Sequence, residues 1–290
     1  MFDLLIAPFA EFAFMQRALV GCLAISLSVV PVGVFLMLRR MSLTGDAMAH
    51  AILPGAAVGY LVSGLSIGAM TIGGIVAGCM VAVLSGLVSR LTEVAEDASM
   101  AAFYLISLAL GVLIISVNGS QVDLLHVLFG SALALTNDAL YLLGGIATFT
   151  LLTMAVIFRP LVMECMDRSF LQAVSQLSTL VHLLFLVLVV INLVGGFNAL
   201  GTLMSVGMMI LPAAAARYWT RQLGHLILLA CILAMAGCYL GLLASYHFAW
   251  PTSPAIILIL GGFYVLSFIF GSYGSLIQRL AITKPKHLSA

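Results

Sequence analysis

Charged residues are scarce in this sequence. Only 7% of the 290 residues are Asp, Glu, Lys or Arg, whereas an ordinary soluble domain has roughly 25%. The formal net charge of +1 leaves no basic excess of the kind that binds nucleic acid. In place of charge the chain carries recurrent apolar runs of about 18 residues or more, each long enough to cross a bilayer core of roughly 30 Å. We therefore predict an all-α polytopic membrane protein.

Several chemical motifs are also missing. There is no Gly-Lys dipeptide, so the chain has no P-loop to hold the phosphates of ATP. There is no HExxH motif of the kind that membrane metalloproteases use. The five cysteines form no CxxC pair, and we interpret them as small buried hydrophobes rather than as a metal cluster or a disulfide framework. These absences disfavour an enzyme.

Hydropathy predicts one transmembrane domain over residues 1–290 with about eight or nine membrane-spanning helices. The predicted segments are 15–38, 46–64, 68–89, 100–118, 139–158, 180–194, 199–216, 223–247 and 254–277. A weaker apolar piece at 123–136 is expected to lie in or beside the membrane without crossing it.

Basic residues follow every second segment. They are Arg39 and Arg40, Arg90, Arg159, Arg217 and Arg221, and finally Arg279, Lys284 and Lys286. If all nine segments cross, these residues share one side, which the positive-inside rule makes cytoplasmic. The C-terminus is then predicted inside and the N-terminus outside.

The most unusual stretch is MSLTGDAMAHAILPG, from Met41 to Gly55. Asp46 and His50 stand four residues apart, so on a helix they project from one face. A continuous helical path would place His50 about 16 Å beyond Arg39, near the middle of the hydrocarbon layer, where ionisable groups are expensive. The pair suits a borderline divalent ion such as zinc or manganese. A proton relay and a purely structural Asp–His contact remain open, and Pro54–Gly55 predicts a helix break of the kind that transporters use at their binding sites.

A polar stretch on the predicted cytoplasmic side interrupts the apolar pattern at about 160–178. Its apolar residues Phe170, Leu171 and Val174 recur at helical spacing. A short helix lying across the membrane face would offer a docking surface for a partner, and a solvated helix without a partner is the alternative. Glycines at four-residue spacing, Gly55/Gly59 and Gly74/Gly78, predict close helix packing.

Four stretches together resemble the metal-ion permeases of ABC importers, which are the membrane subunits of zinc, manganese and iron uptake systems. They are LRRMSLTGDAMAHAILPG, VDLLHVLFGSALAL, MECMDRSFLQAVS and LGTLMSVGMMILPAAAAR, in order over roughly 35–220. The resemblance implies the type II importer permease fold in a bacterial cytoplasmic (inner) membrane. Asp46 and His50 match the family's intramembrane metal-coordinating pair. Phe170, Leu171 and Val174 fall in the segment that matches its coupling helix.

The resemblance also implies partners and a function. A second copy of the chain, two ATP-binding subunits and an extracytoplasmic metal-binding protein are expected, in contact with membrane lipid but not with nucleic acid. ATP hydrolysis would occur on the separate subunit. No cofactor is expected to bind permanently, because the divalent metal, Zn²⁺ or Mn²⁺, is the cargo, and zinc is slightly favoured. The alternative is a proton-coupled secondary metal transporter that uses Asp46 and His50.

Overall fold

The computed structural model describes residues 7–64, 66–92, 95–117, 135–166 and 177–278. Every regular element within these ranges is an α-helix. The eleven helices are α1 (Ala7–Glu11), α2 (Ala13–Leu38), α3 (Ser42–Ala51), α4 (Leu53–Ser63), α5 (Ile67–Leu91), α6 (Glu96–Val117), α7 (Asn137–Met166), α8 (Leu177–Leu200), α9 (Thr202–Ala216), α10 (Leu223–Phe248) and α11 (Thr252–Phe270).

Seven of these helices are long and apolar enough to cross a membrane: α2, α5, α6, α7, α8, α10 and α11. The other two predicted segments also form helices, but neither is a single full-length span. Residues 46–64 divide into α3 and α4, and α9 has only 15 residues, or about 22 Å at 1.5 Å per residue. The all-helical fold is confirmed, and the predicted helix count was approximate because hydropathy does not detect such breaks.

The turn from α2 into α3 is built by local hydrogen bonding. The amide of Met41 donates to the carbonyl of Leu36 at 2.9 Å, and the amide of Arg40 donates to that of Met37 at 3.1 Å. These two bonds, with Arg40 at φ 61°, form a Schellman motif that ends a helix. The continuous helical path assumed for the depth of His50 is therefore wrong. The chain turns at Arg40, and α3 begins afresh at Ser42.

The predicted helix break is present two residues before Pro54. Helix α3 ends at Ala51, and α4 begins at Leu53 with Pro54 at its N-terminus. Proline has no amide hydrogen to continue the α3 ladder. The hydroxyl of Ser107 on α6 donates to the carbonyl of Ala51 at 2.9 Å. A neighbouring helix thus satisfies a backbone group at the break, as burial in an apolar environment requires.

Helices α2 and α8 form the centre of the fold. About two thirds of the α2 span and nearly three quarters of the α8 span are buried, whereas little more than a fifth of the α6 span is. Glycines let backbones meet at the core: a side chain at Gly33 would strike the carbonyl of Met209 on α9, and one at Gly55 would strike the carbonyl of Gly73 on α5. The predicted glycine packing is confirmed as contact within one chain.

The predicted coupling region is only partly described. Helix α7 continues to Met166, and α8 begins at Leu177. Phe170, Leu171 and Val174 lie outside the described residues, as does most of the weaker apolar piece at 123–136.

Candidate metal site

Asp46 and His50 lie on the same face of α3, as their spacing predicted. The Nε2 atom of His50 is 3.9 Å from Oδ1 of Asp46. This separation exceeds an ordinary hydrogen bond, so each side chain keeps an oxygen or nitrogen available for another partner. A carboxylate oxygen and an imidazole nitrogen this close together can bind the same metal ion, but they supply only part of its ligands.

Helix α6 forms one wall beside the pair. The His50 and Tyr104 rings face each other with centroids 6.4 Å apart. Beside the pair lies a cavity of about 190 Å³, which is lined by residues of α3 and α6 that include Thr44, Asp46, Asp97 and Tyr104. Waters occupy about 30 Å³ each in the liquid, so the cavity has room for a cation with part of its hydration shell.

The pair faces outward from the single chain. The Asp46 side chain is 65% exposed and that of His50 is 34% exposed. Within the described part of the chain, no three His, Cys, Asp or Glu side chains lie close enough together to hold a metal ion. A complete shell at this position therefore needs ligands beyond the Asp46–His50 pair of one chain.

A second polar cluster lies where α2 and α7 end and α8 begins, which is the predicted cytoplasmic side. Nη2 of Arg39 donates to Oε2 of Glu164 at 2.7 Å, and Nη1 of Arg39 is 3.1 Å from Nδ1 of His182. The Arg39 guanidinium also lies 4.5 Å from the centroid of the Phe185 ring. All three polar side chains are less than a tenth exposed. This cluster borders a second cavity of about 430 Å³, which Asp97 also lines.

Two residues differ from their sequence-based interpretation. His182 stands near the start of a predicted segment, a position that favours an interfacial histidine, yet it is buried beside Arg39 and Glu164. Asn192 stands near the end of the same predicted segment, where an amide usually caps a helix, but it lies inside α8, where its Nδ2 donates to Thr150 Oγ1 and to the Leu188 carbonyl, both at 2.8 Å. The contacts of His182 with Arg39 and of Asn192 with Thr150 join residues 143 and 42 positions apart in sequence, so no local pattern indicates them.

One short motif resembles a serine-hydrolase elbow but has the wrong context. Residues 64–68, GLSIG, match GxSxG. That motif requires a strand before the serine and a helix after it. Here the motif connects α4 to α5, two helices. A hydrolase site at Ser66 is therefore unsupported.

The all-helical fold with seven apolar spans, the broken helix and the exposed Asp–His pair are the features of a polytopic membrane protein with a candidate ion site. Comparison with known proteins gives the family. The model of the ABC 3 transport family matches residues 11–271. The chain belongs to this family.

Two curated relatives and one solved structure agree with this assignment. A manganese import system permease protein of Streptococcus parasanguinis, ScaB, is 33% identical over 258 residues, which cover 89% of this chain and 91% of that protein. The chelated iron transport system membrane protein YfeD of Yersinia pestis is 29% identical over 270 residues, or 93% and 89% of the two chains. The structure of PsaBC from Streptococcus pneumoniae in complex with Fab superimposes with a TM-score of 0.83 at 29% identity, covering 97% of this chain and 100% of that one.

The predicted recognition, fold class and location are confirmed. The chain is a permease of a metal-ion ABC importer with the fold of that family, and it is a multi-pass protein of the bacterial inner membrane.

Proposed function

We propose that this permease moves a divalent transition-metal ion through the membrane and that Asp46 and His50 bind the ion on its way. The observation that carries the proposal is the geometry of this pair: a carboxylate and an imidazole, 3.9 Å apart, beside a helix break. A bound cation offsets the cost of placing a carboxylate within the membrane. The break between α3 and α4 allows the site to change shape without unfolding either helix.

The exposure of Asp46 supports a second copy of the chain as partner. A charged group facing lipid costs roughly 2.5–3.5 kcal/mol even on the mildest scale, and Leu43, also on α3, is 77% exposed. Two copies that face each other across this surface would cover both residues. They would also supply two Asp–His pairs, which together make a shell that one chain lacks.

An ATP-binding subunit, in two copies, and an extracytoplasmic metal-binding protein complete the proposed importer. Family membership supports both partners, and the absence of a P-loop from the sequence requires that ATP be hydrolysed elsewhere. The coupling role of Phe170, Leu171 and Val174 stays a prediction from the resemblance.

We propose manganese as the transported ion. The support is the function of the relatives, since ScaB is a manganese import permease and YfeD belongs to a chelated iron transport system. Carboxylate and water ligands also suit Mn²⁺. The preference for zinc stays a prediction from ligand chemistry, since zinc binds more tightly than manganese at most such sites.

Uptake into proteoliposomes tests the proposal. The permease would be reconstituted with its ATP-binding subunit and binding protein, with ATP at the nucleotide-binding side and Mn²⁺ or Zn²⁺ offered separately. We expect ATP-dependent Mn²⁺ uptake that falls at least a hundredfold in Asp46→Ala and in His50→Ala. Wild-type uptake in both variants would refute the role of the pair. Uptake that ignores ATP but follows a proton gradient would favour the secondary transporter.

A further inference from the structure

One acidic residue, Asp97, lines both the cavity beside Asp46 and the cavity beside the cluster of Arg39, Glu164 and His182. It lines the 190 Å³ cavity together with Asp46 and Thr44. It also lines the 430 Å³ cavity together with Glu164 and His182. Asp97 therefore lies between the cavity at the Asp46–His50 pair and the cavity at the cluster of Arg39, Glu164 and His182.

The order of residues along α3 and α6 places Asp97 on the cytoplasmic side of the pair. Both helices begin at the cytoplasmic face, α3 just after Arg39 and Arg40 and α6 just after Arg90. Tyr104, which faces His50, lies seven residues beyond Asp97. Seven residues of helix rise about 10 Å, so Asp97 is about two turns nearer the cytoplasm than His50.

A second feature of the smaller cavity points to a ligand. Thr44 is only 2% exposed, and its Oγ1 has no hydrogen-bond partner among the described residues. Buried hydroxyl groups are nearly always hydrogen-bonded, because an unpartnered one costs free energy. A hydroxyl oxygen without an internal partner, beside two carboxylates in one cavity, has the chemistry of a cation subsite.

We propose that Thr44 and Asp97, with Asp46, form a second cation subsite through which the transported divalent ion leaves the Asp46–His50 pair for the cytoplasmic cavity. This inference rests on the proposed function and names an exit step for it. The subsite shares Asp46 with the Asp46–His50 pair and replaces the His50 imidazole by the Thr44 hydroxyl and the Asp97 carboxylate, which are ligands that suit Mn²⁺. An ion that exchanges ligands in this way leaves His50 without losing contact with Asp46, and this lowers the barrier to release.

The test compares two substitutions with a matched control. Asp97→Asn removes the charge at nearly constant volume, and Thr44→Val removes only the hydroxyl. Asp138→Asn is the control, because Asp138 is an exposed carboxylate in the first turn of α7 and lines neither cavity. The full-length permease would be assayed for Mn²⁺ uptake with its partners. Bound Mn²⁺ would be counted separately by electron paramagnetic resonance on the purified chain without ATP, and melting temperatures would be recorded.

We expect Asp97→Asn to lower uptake at least tenfold while the Asp46–His50 pair still binds Mn²⁺, and Asp138→Asn to change neither. Thr44→Val should lower uptake severalfold without lowering the melting temperature, because valine removes an unpartnered polar group. A threonine with only a structural role would not lower uptake when its replacement leaves the melting temperature unchanged. Wild-type uptake in both Thr44→Val and Asp97→Asn would overturn the exit subsite. If Asp97→Asn fails to fold, wild-type uptake in Thr44→Val alone would overturn it. Loss of Mn²⁺ binding in His50→Ala tests the Asp46–His50 pair independently, because His50 takes no part in the exit subsite.

Discussion

The Arg39 guanidinium donates to the Glu164 carboxylate at 2.7 Å, with the two side chains only 7% and 3% exposed. This pair joins the C-cap of α2 to the last turn of α7. Since α3 begins three residues after Arg39, the pair fixes the position at which the helix that carries Asp46 and His50 begins. Its partner His182 adds the first turns of α8 to the same junction.

Removing one member of this pair is expected to destabilise the fold strongly. Glu164→Leu leaves the Arg39 guanidinium buried without its carboxylate, which costs about 3–5 kcal/mol. The free energy of unfolding in mixed micelles would measure the loss. The double variant Arg39→Met/Glu164→Leu removes both charges and should recover most of it, since apolar replacement of a whole buried pair is often neutral. A double variant as unstable as the single one would contradict this account.

Close packing at Gly55 makes a second prediction. A side chain there meets the backbone of Gly73, which cannot move away as a flexible side chain would. Gly55→Val should therefore lower the free energy of unfolding by about 1–3 kcal/mol or more. Gly261→Ala on α11 is the control, because nothing lies within 4 Å of the added methyl group. It should stabilise the helix by about 0.5–1 kcal/mol, so equal effects at the two glycines would show that the α4–α5 contact is not tight.

The hydrogen bond at the helix break between α3 and α4 gives a third prediction. Ser107→Ala removes the donor to the buried Ala51 carbonyl, which should cost about 1–3 kcal/mol of stability. Hydrogen exchange at amides near residue 52 should become faster, because the break loses its support from α6. Thr148→Ala is the matched control: its hydroxyl is exposed and bonds only the Gly144 carbonyl within its own helix. Unchanged exchange in Ser107→Ala would show that the break is held by packing alone.

Local patterns explain which features could be predicted from the sequence. The i, i+4 spacing of Asp46 and His50 and the position of Pro54 are properties of one short segment, and the structure reproduces both. The predicted end of the first segment at residue 38 agrees with the end of α2 at Leu38, but the turn after it was not expected, because its Schellman motif has an arginine where glycine is usual. Hydropathy alone did not divide residues 46–64 into two helices, whereas Pro54 indicated the break.

Features that depend on tertiary contacts could not be predicted from local sequence patterns. Arg39 lies 125 residues before Glu164 and 143 residues before His182. Each of these residues stands near the end of an apolar segment, where a polar side chain is common. Asp97 similarly stands where an acidic residue is expected, in the first turn of a helix. Only the packing of α6 against α3 shows that it borders the same cavity as Asp46.

The outward-facing surface of α3 gives the last prediction. If two copies meet across this surface, cysteines introduced at Leu43 should be close to each other in the membrane. Leu43→Cys should yield a covalent dimer with a short thiol-reactive cross-linker in native membranes, above the background of the five natural cysteines. Val156→Cys on α7 is equally exposed, at 81% against 77% for Leu43, but it lies on a different helix and should stay monomeric. A dimer at Val156 and none at Leu43 would place the partner on the other side of the molecule, and the Asp46–His50 pair would then need a different source for its remaining ligands.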